Sequence, residues 1–121
     1  MWYWRVITNP SAGSVVGSFE GDSGTVFSLM GICISHNYSS AVQVLVRTKH
    51  YTSGEMREFM RILVPANSAF VLNSPEDTLI SDIGAGAHEY LEIVAVTGGT
   101  YTLTIGLNIR GSFSGGAGWT G

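Results

Sequence analysis

Residues 100–110 read Thr-Tyr-Thr-Leu-Thr-Ile-Gly-Leu-Asn-Ile-Arg. Tyr101, Leu103, Ile105, Leu107 and Ile109 fall on one side of this run. Thr100, Thr102, Thr104, Gly106, Asn108 and Arg110 fall on the other. Alternation sustained over that length defines a half-buried antiparallel strand, because a helix would scatter the same apolar residues around its circumference. At about 3.3 Å per residue, such a strand crosses a whole small sandwich. An all-β fold is therefore the first expectation.

The rest of the chain agrees with it. Residues 2–8 are aromatic and β-branched and read as a strand or extended arm. Residues 9–24, rich in Gly and Ser, read as a long connection. Residues 25–35 are almost continuously apolar, as in a central strand. In 41–49, Val42, Val44, Val46 and Thr48 alternate with polar neighbours. Segment 56–64 is ambiguous. Met56, Phe59, Met60 and Leu63 have helical spacing and Thr52 with Glu55 matches a capping box, yet the segment is short and Pro65 stops it, which favours a strand. Residues 67–73 and 78–83 supply a short strand and an edge strand. Thr97-Gly98 predicts a tight hairpin between 89–96 and 99–110. About eight strands of this kind predict a single two-sheet antiparallel β-sandwich, jelly-roll-like. Its core is expected in 25–110, with an N-terminal arm and connection in 1–24 and a Gly-rich tail in 111–121.

Composition enters through charge. The chain has 121 residues, enough for one domain, and 12% of them are charged against about 25% in an ordinary globular protein. Either the surface is made of Ser, Thr, Asn and Gly, or much of it is buried against other copies or a larger partner, since interface cores are poor in charge. The net charge is −3 and the six Lys and Arg residues are dispersed, so no basic footprint for nucleic acid is expected. Cys33, the single cysteine, lies in an apolar run and reads as a buried small hydrophobe; an intrachain disulfide is impossible, which fits a reducing cytosol. The start, Met1-Trp2-Tyr3-Trp4-Arg5, lacks a signal-peptide pattern, and no apolar run reaches the ~18 residues of a membrane span.

No residue set specifies a reaction, and neither enzyme activity nor a cofactor or metal is expected. Gly21-Asp22-Ser23-Gly24 copies the tetrapeptide around a serine-protease nucleophile, but His36, His50 and His88 all follow it and the chain is half the length such a fold needs; a turn is the better reading. The histidines lack metal-ligand spacing and read as solvated loop residues. Glu76, Asp77 and Asp82 lack a calcium-loop pattern, and 111–118 lacks the Lys-Ser/Thr of a phosphate loop. The chain ends carry more information. Trp2, Tyr3, Trp4, Phe113 and Trp119 are large aromatics where chains usually fray. Either Trp2 and Trp4 plug the domain's own core while Tyr3 faces out, or these rings are assembly contacts with a neighbour.

Residues 27–110 resemble the small β-sandwich accessory proteins of tailed-phage virions: capsid decoration (cement) proteins and related tail or fibre modules. The resemblance is carried by Ile32-Cys33-Ile34-Ser35-His36-Asn37 with Ser39-Ser40-Ala41-Val42-Gln43-Val44, then by Ile62-Leu63-Val64-Pro65-Ala66-Asn67-Ser68, Tyr90-Leu91-Glu92-Ile93-Val94-Ala95 and the Thr-rich closing strand. It departs at Gly84-Ala85-Gly86-Ala87-His88, where these proteins often have a Gly-Asp turn. The resemblance implies a non-enzymatic structural protein of a bacteriophage virion, assembled in the host cytoplasm. It implies a homotrimer or other homo-oligomer in contact with the major capsid protein or another virion protein, with no nucleic acid or membrane partner. Alternatives are a tail, neck or fibre component and a carbohydrate-binding or adhesin module, in which Trp2, Trp4, Trp119 or Tyr38 would form a stacking platform.

Overall fold

A computed structural model of the chain describes residues 1–20, 26–74, 78–84, 89–111 and 118–120. All regular elements among them are strands: β1 (Trp2–Thr8), β2 (Ser14–Glu20), β3 (Val26–His36), β4 (Val42–His50), β5 (Met56–Val64), β6 (Ala69–Asn73), β7 (Ile80–Gly84), β8 (Glu89–Ala95), β9 (Thr102–Gly111) and β10 (Gly118–Thr120). They form two antiparallel sheets. Sheet I runs β1-β9-β3, with β6 and β7 sharing the far edge of β3. Sheet II runs β5-β4-β8-β2-β10. A single bridge, Gly84 to Glu89, joins the two at one end. Strands β1 to β4 alternate one by one between the sheets, β5 stays beside β4, and the return strands β8 and β9 insert between earlier ones. This is jelly-roll topology.

The core lies between the sheets and follows the alternation in each strand. Leu103, Ile105, Leu107 and Ile109 of β9, with Ile32 and Ile34 of the adjacent β3, face Val42, Val44 and Val46 of β4 and Leu91 and Ile93 of β8, all almost fully buried. Segment 56–64 is a strand, as its length and Pro65 require. Pro65 opens a corner in which Ser68 Oγ donates to the Pro65 carbonyl (2.7 Å) and the Asn67 amide donates to the Tyr38 carbonyl (2.8 Å).

Three expectations are corrected. Residues 9–24 are not simply a connection: β2 lies within them and enters the centre of sheet II, with Phe19 fully buried. Val15, Gly17, Ser18 and Phe19 pair with β8 around a bulge at Val16, and the glycines in and beside the strand masked its pattern. The tail also returns to the fold, since β10 pairs with β2, so both chain ends belong to the sandwich. Thr97-Gly98 makes no hairpin: β8 and β9 lie in different sheets, and 96–101 crosses between them. Gly98 packs directly on the backbone of Ser11 and Ala12, a position without room for a Cβ.

Each end of the sandwich is closed differently. At one, Tyr38 and Tyr101 stack with ring centroids 4.7 Å apart, beside His36. Burial raises the Tyr101 phenol pKa, with Tyr38 adding to it, and Tyr101 donates to the Thr97 carbonyl (2.7 Å). His36 is a buried histidine rather than the solvated one expected. The Tyr38 amide donates to its Nδ1 (3.0 Å), so the proton sits on Nε2, which donates to the Val64 carbonyl (3.2 Å). At the other end, Tyr3, Phe19 and Phe27 form an edge-to-face series.

Candidate functional site

The alternation of β1 decides where the terminal aromatics point. Tyr3 and Ile7 face inward and pack on the core, and Tyr3 meets Phe19 edge-on at 4.9 Å. Trp2, Trp4, Val6 and Thr8 face outward. This reverses the arrangement in which Trp2 and Trp4 plug the core and Tyr3 faces out. Trp119 docks on its own chain: it packs edge-on against Phe19 (6.1 Å) under the Arg5 guanidinium, 5.9 Å from its ring centre. Gly17 leaves the space for this ring, since a Cβ there would lie 2.8 Å from Trp119 Cε3. The Trp119 Nε1 is buried with no hydrogen-bond partner among the described residues. Phe113, Ser23, His88, Glu76 and Asp77 lie outside the described residues, as does the side chain of Asp82.

Strand register assembles the outer face of sheet I. Trp4 opposes Gly106, Gly106 opposes Cys33, and Cys33 opposes Val71. Alongside run Val6, Thr104, Ser35 and Ala69 on one side, and Trp2, Asn108, Gly31 and Asn73 on the other. None of these twelve residues is Asp, Glu, Lys, Arg or His. Arg110 and the Met1 ammonium, which donates to Asn108 Oδ1 (3.1 Å), stand at the border. Trp4 is 56% exposed, Val6 64% and Val71 63%. Trp2 and Trp4 stack with centroids 5.5 Å apart. The Trp4 ring lies over Gly106: a Cβ there would sit 2.6 Å from Cε3 and 2.8 Å from Cη2. Cys33 is therefore half-buried on this outer face and not in the core, because it alternates with the buried Ile32 and Ile34. A shallow depression of about 290 Å³, lined by Ser35, His36, Asn37, Thr102 and Thr104, continues the face toward the β3–β4 turn.

The outer face of sheet II differs in carrying charge, alongside the exposed apolar Leu63, Met56 and Val15. Arg47 on β4 donates to Glu92 on β8 (2.9 Å), and Arg61 pairs with Glu58 along β5 (2.9 Å). Lys49 and Glu20 continue the charged rows.

A second concavity, about 330 Å³, opens at the β4–β5 turn and is lined by His50, Glu55, Arg57 and Glu89. Burial alone would raise the Glu89 pKa. Hydrogen bonds from Arg57 and from Thr48 Oγ1 (2.7 Å), with the charges of Arg57 and His50, outweigh it and hold the carboxyl below the usual range. The same pair raises the Arg57 pKa, chiefly through the hydrogen bond and charge of Glu89. Both Glu89 oxygens are engaged by Arg57, so this network reads as a polar plug closing the core rather than as an acid or base aimed at a substrate. Sequence reasoning missed it, because residues 48, 57 and 89 meet only through sheet pairing.

No family model matches this chain, and no curated protein does. Among solved structures the chain is similar to one described as the crystal structure of PirA. The identity is 12%, with a TM-score of 0.57 over 88% of this chain and 94% of that one. At that identity the likeness concerns the fold alone. What the site offers chemically is a broad, uncharged, partly aromatic sheet face backed by a rigid core.

Proposed function

We propose that this chain is a non-enzymatic structural protein that works by self-association and surface docking. The specific form we favour is a decoration protein of a tailed-phage virion. The observation that carries this reading is the twelve-residue patch on the outer face of sheet I, where Trp4, Val6 and Val71 stay largely in water and none of the twelve is charged. Exposed apolar patches rimmed by polar groups mark interaction surfaces, and interface centres are depleted in charge and enriched in Trp. Burying the exposed part of Trp4 alone removes about 140 Å² from water, ~3.5 kcal/mol at about 25 cal/mol per Å². The family resemblance of residues 27–110 supplies the virion setting.

The test is co-sedimentation of the purified chain with head and tail particles of the phage that carries its coding sequence. Saturable binding at a fixed copy number supports the reading. Failure to bind either particle, together with absence from purified virions, overturns it. A second reading, a module that binds neutral saccharides, is favoured by the exposed Trp2–Trp4 stack beside the hydroxyl-lined depression. It requires saccharide-dependent quenching of tryptophan fluorescence that is lost in Trp4→Ala.

A further inference from the structure

We infer that sheet I carries a track for a neutral, equatorially linked hexose chain, which starts on the Trp4 ring and runs along β9 into the depression at the β3–β4 turn. This rests on the saccharide reading above and adds the linkage, the number of sugar units and the place of each. The tryptophan platform is the first observation. A Cβ built on Gly106 would meet three consecutive atoms of the Trp4 ring, Cε3, Cζ3 and Cη2, at closely similar distances. Such an approach means that the ring lies flat over the strand, and Trp4 is still 56% exposed. Trp2 is near-parallel to it, at 18° with centroids 5.5 Å apart, so the two rings are offset rather than eclipsed. A flat, exposed indole accepts the C–H face of a pyranose whose hydroxyls are equatorial.

The polar end is the second. Thr104 and Thr102 follow Gly106 on the same face of β9, and Ser35 pairs with Thr104. Asn37 Oδ1 accepts from the Thr102 amide (2.8 Å), which fixes that side chain over the depression. The hydroxyls of Ser35, Thr102 and Thr104 and the Asn37 Nδ2 have no hydrogen-bond partner among the described residues. His36, also in the wall, has both ring nitrogens engaged by the chain. What remains is a set of uncharged donors and acceptors, which matches groups that donate and accept at once, as sugar hydroxyls do. An acidic sugar would find no counter-charge there, because Arg110 and the Met1 ammonium stand past the opposite, tryptophan end.

Length and shape are the third. From Gly106 to Thr102 the strand advances about 13 Å at about 3.3 Å per residue, the length of roughly two to three linked hexose rings. The track follows a single extended strand and is straight. Equatorial linkages keep a hexose chain straight, whereas axial linkages curl it away from the face. The unit on Trp4 supplies apolar contact and the units beyond it supply hydrogen bonds, so affinity grows with chain length until the depression is filled.

The experiment titrates the full chain with glucose, cellobiose, cellotriose and cellotetraose, and with maltotetraose as the axially linked control, by tryptophan fluorescence and calorimetry. Far-UV circular dichroism checks that each variant is folded. Affinity should rise at least about tenfold from glucose to cellotriose and level off at cellotetraose, with maltotetraose at least about tenfold weaker. Thr104→Val, which keeps the shape and removes the hydroxyl, and Ser35→Ala should each weaken cellotriose binding at least about threefold and leave glucose binding unchanged. Trp4→Ala should abolish both, and Lys49→Glu on the opposite sheet should change neither. Equal affinity for glucose and cellotriose, or cellotriose binding insensitive to both hydroxyl variants, overturns the track and leaves a single sugar on Trp4. Preference for maltotetraose overturns it through the linkage. Absence of binding by the whole cello series also overturns it, while quenching by another neutral sugar that Trp4→Ala removes would keep the saccharide reading standing without the track.

Discussion

Replacing Gly106 by alanine tests whether Trp4 is held by a glycine floor. The added Cβ would lie 2.6–2.8 Å from two carbons of the Trp4 ring. Carbon atoms in contact prefer about 3.5–4.0 Å, so the ring must lift by about 1 Å or swing into water. Somewhat under half of Trp4 is covered, about 110 Å² of an indole side chain, or ~2.5–3 kcal/mol at about 25 cal/mol per Å². Losing much of that contact outweighs the ~0.5–1 kcal/mol that Ala gains over Gly in a strand. Gly106→Ala is therefore expected to cost about 1–2 kcal/mol in the wild-type background. In a Trp4→Ala background the collision is gone and only the strand preference remains, so the same substitution should stabilise by ~0.5–1 kcal/mol. Urea unfolding of the four proteins, followed by far-UV circular dichroism at fixed low concentration, closes the cycle. The expected coupling is about 2 kcal/mol with a reversal of sign. A coupling below about 0.5 kcal/mol, or the same sign in both backgrounds, would falsify the placement of Trp4 over Gly106.

Three further outcomes follow from the core and its ends. Phe19 is fully buried and touches Tyr3, Phe27 and Trp119; Phe19→Ala should cost ~3–5 kcal/mol in chemical denaturation, and less than ~1 kcal/mol would mean that the β2–β10 region does not close the core. Gly98→Ala puts a Cβ 2.9 Å from Ala12 Cα, a backbone atom that cannot rotate away, so thermal unfolding should show a loss of about 1–3 kcal/mol. Glu89 has a lowered pKa in the folded protein because its hydrogen bonds to Arg57 and Thr48 outweigh the opposing effect of burial. Its stabilisation is thus present above the ordinary glutamate value of 4.5 and lost as pH falls through the folded value. Because the Arg57 partner is more than half exposed and screened by solvent, Glu89→Gln should lower stability at pH 7 only modestly, by under ~1 kcal/mol, and flatten the stability curve below that point; an unchanged acid limb would refute the assignment.

The sequence was most legible where one strand carried its own signal. The alternation in β9 and β4 predicted both the element and its buried side, while the apolar run of β3 predicted the strand but not that Cys33 faces outward. Legibility failed where the deciding contact was distant. Three glycines border or interrupt β2, at 13, 17 and 21, and its burial depends on β8, more than seventy residues away. Thr97-Gly98 has hairpin chemistry, but Ala12 and Tyr38 claim the space beside these glycines, and the chain crosses to the other sheet. The site shows the same division. Alternation separated Trp2 and Trp4 from Tyr3 but left open which side met the core, and the partners Cys33, Ser35 and Val71 join the two tryptophans only through the register of four strands.

Register bears on the two explanations of the low charge. A generic Ser/Thr/Asn surface would dilute charge evenly over both sheets. Instead, Glu20, Arg47, Lys49, Glu58, Arg61 and Glu92 lie on the outer face of sheet II, and Glu55, Arg57 and Glu89 at its open end. On sheet I, Arg5 turns inward over Trp119 and Arg110 stands at the border, and the side chain of Asp82 on β7 lies outside the described residues. An edge strand left in water is ordinarily guarded by Lys, Pro or a bulge. The exposed edge β1 pairs without a bulge along its whole length and has Trp2, Trp4, Val6 and Thr8 on its outer side. The asymmetry therefore supports burial in an assembly over mere dilution of charge.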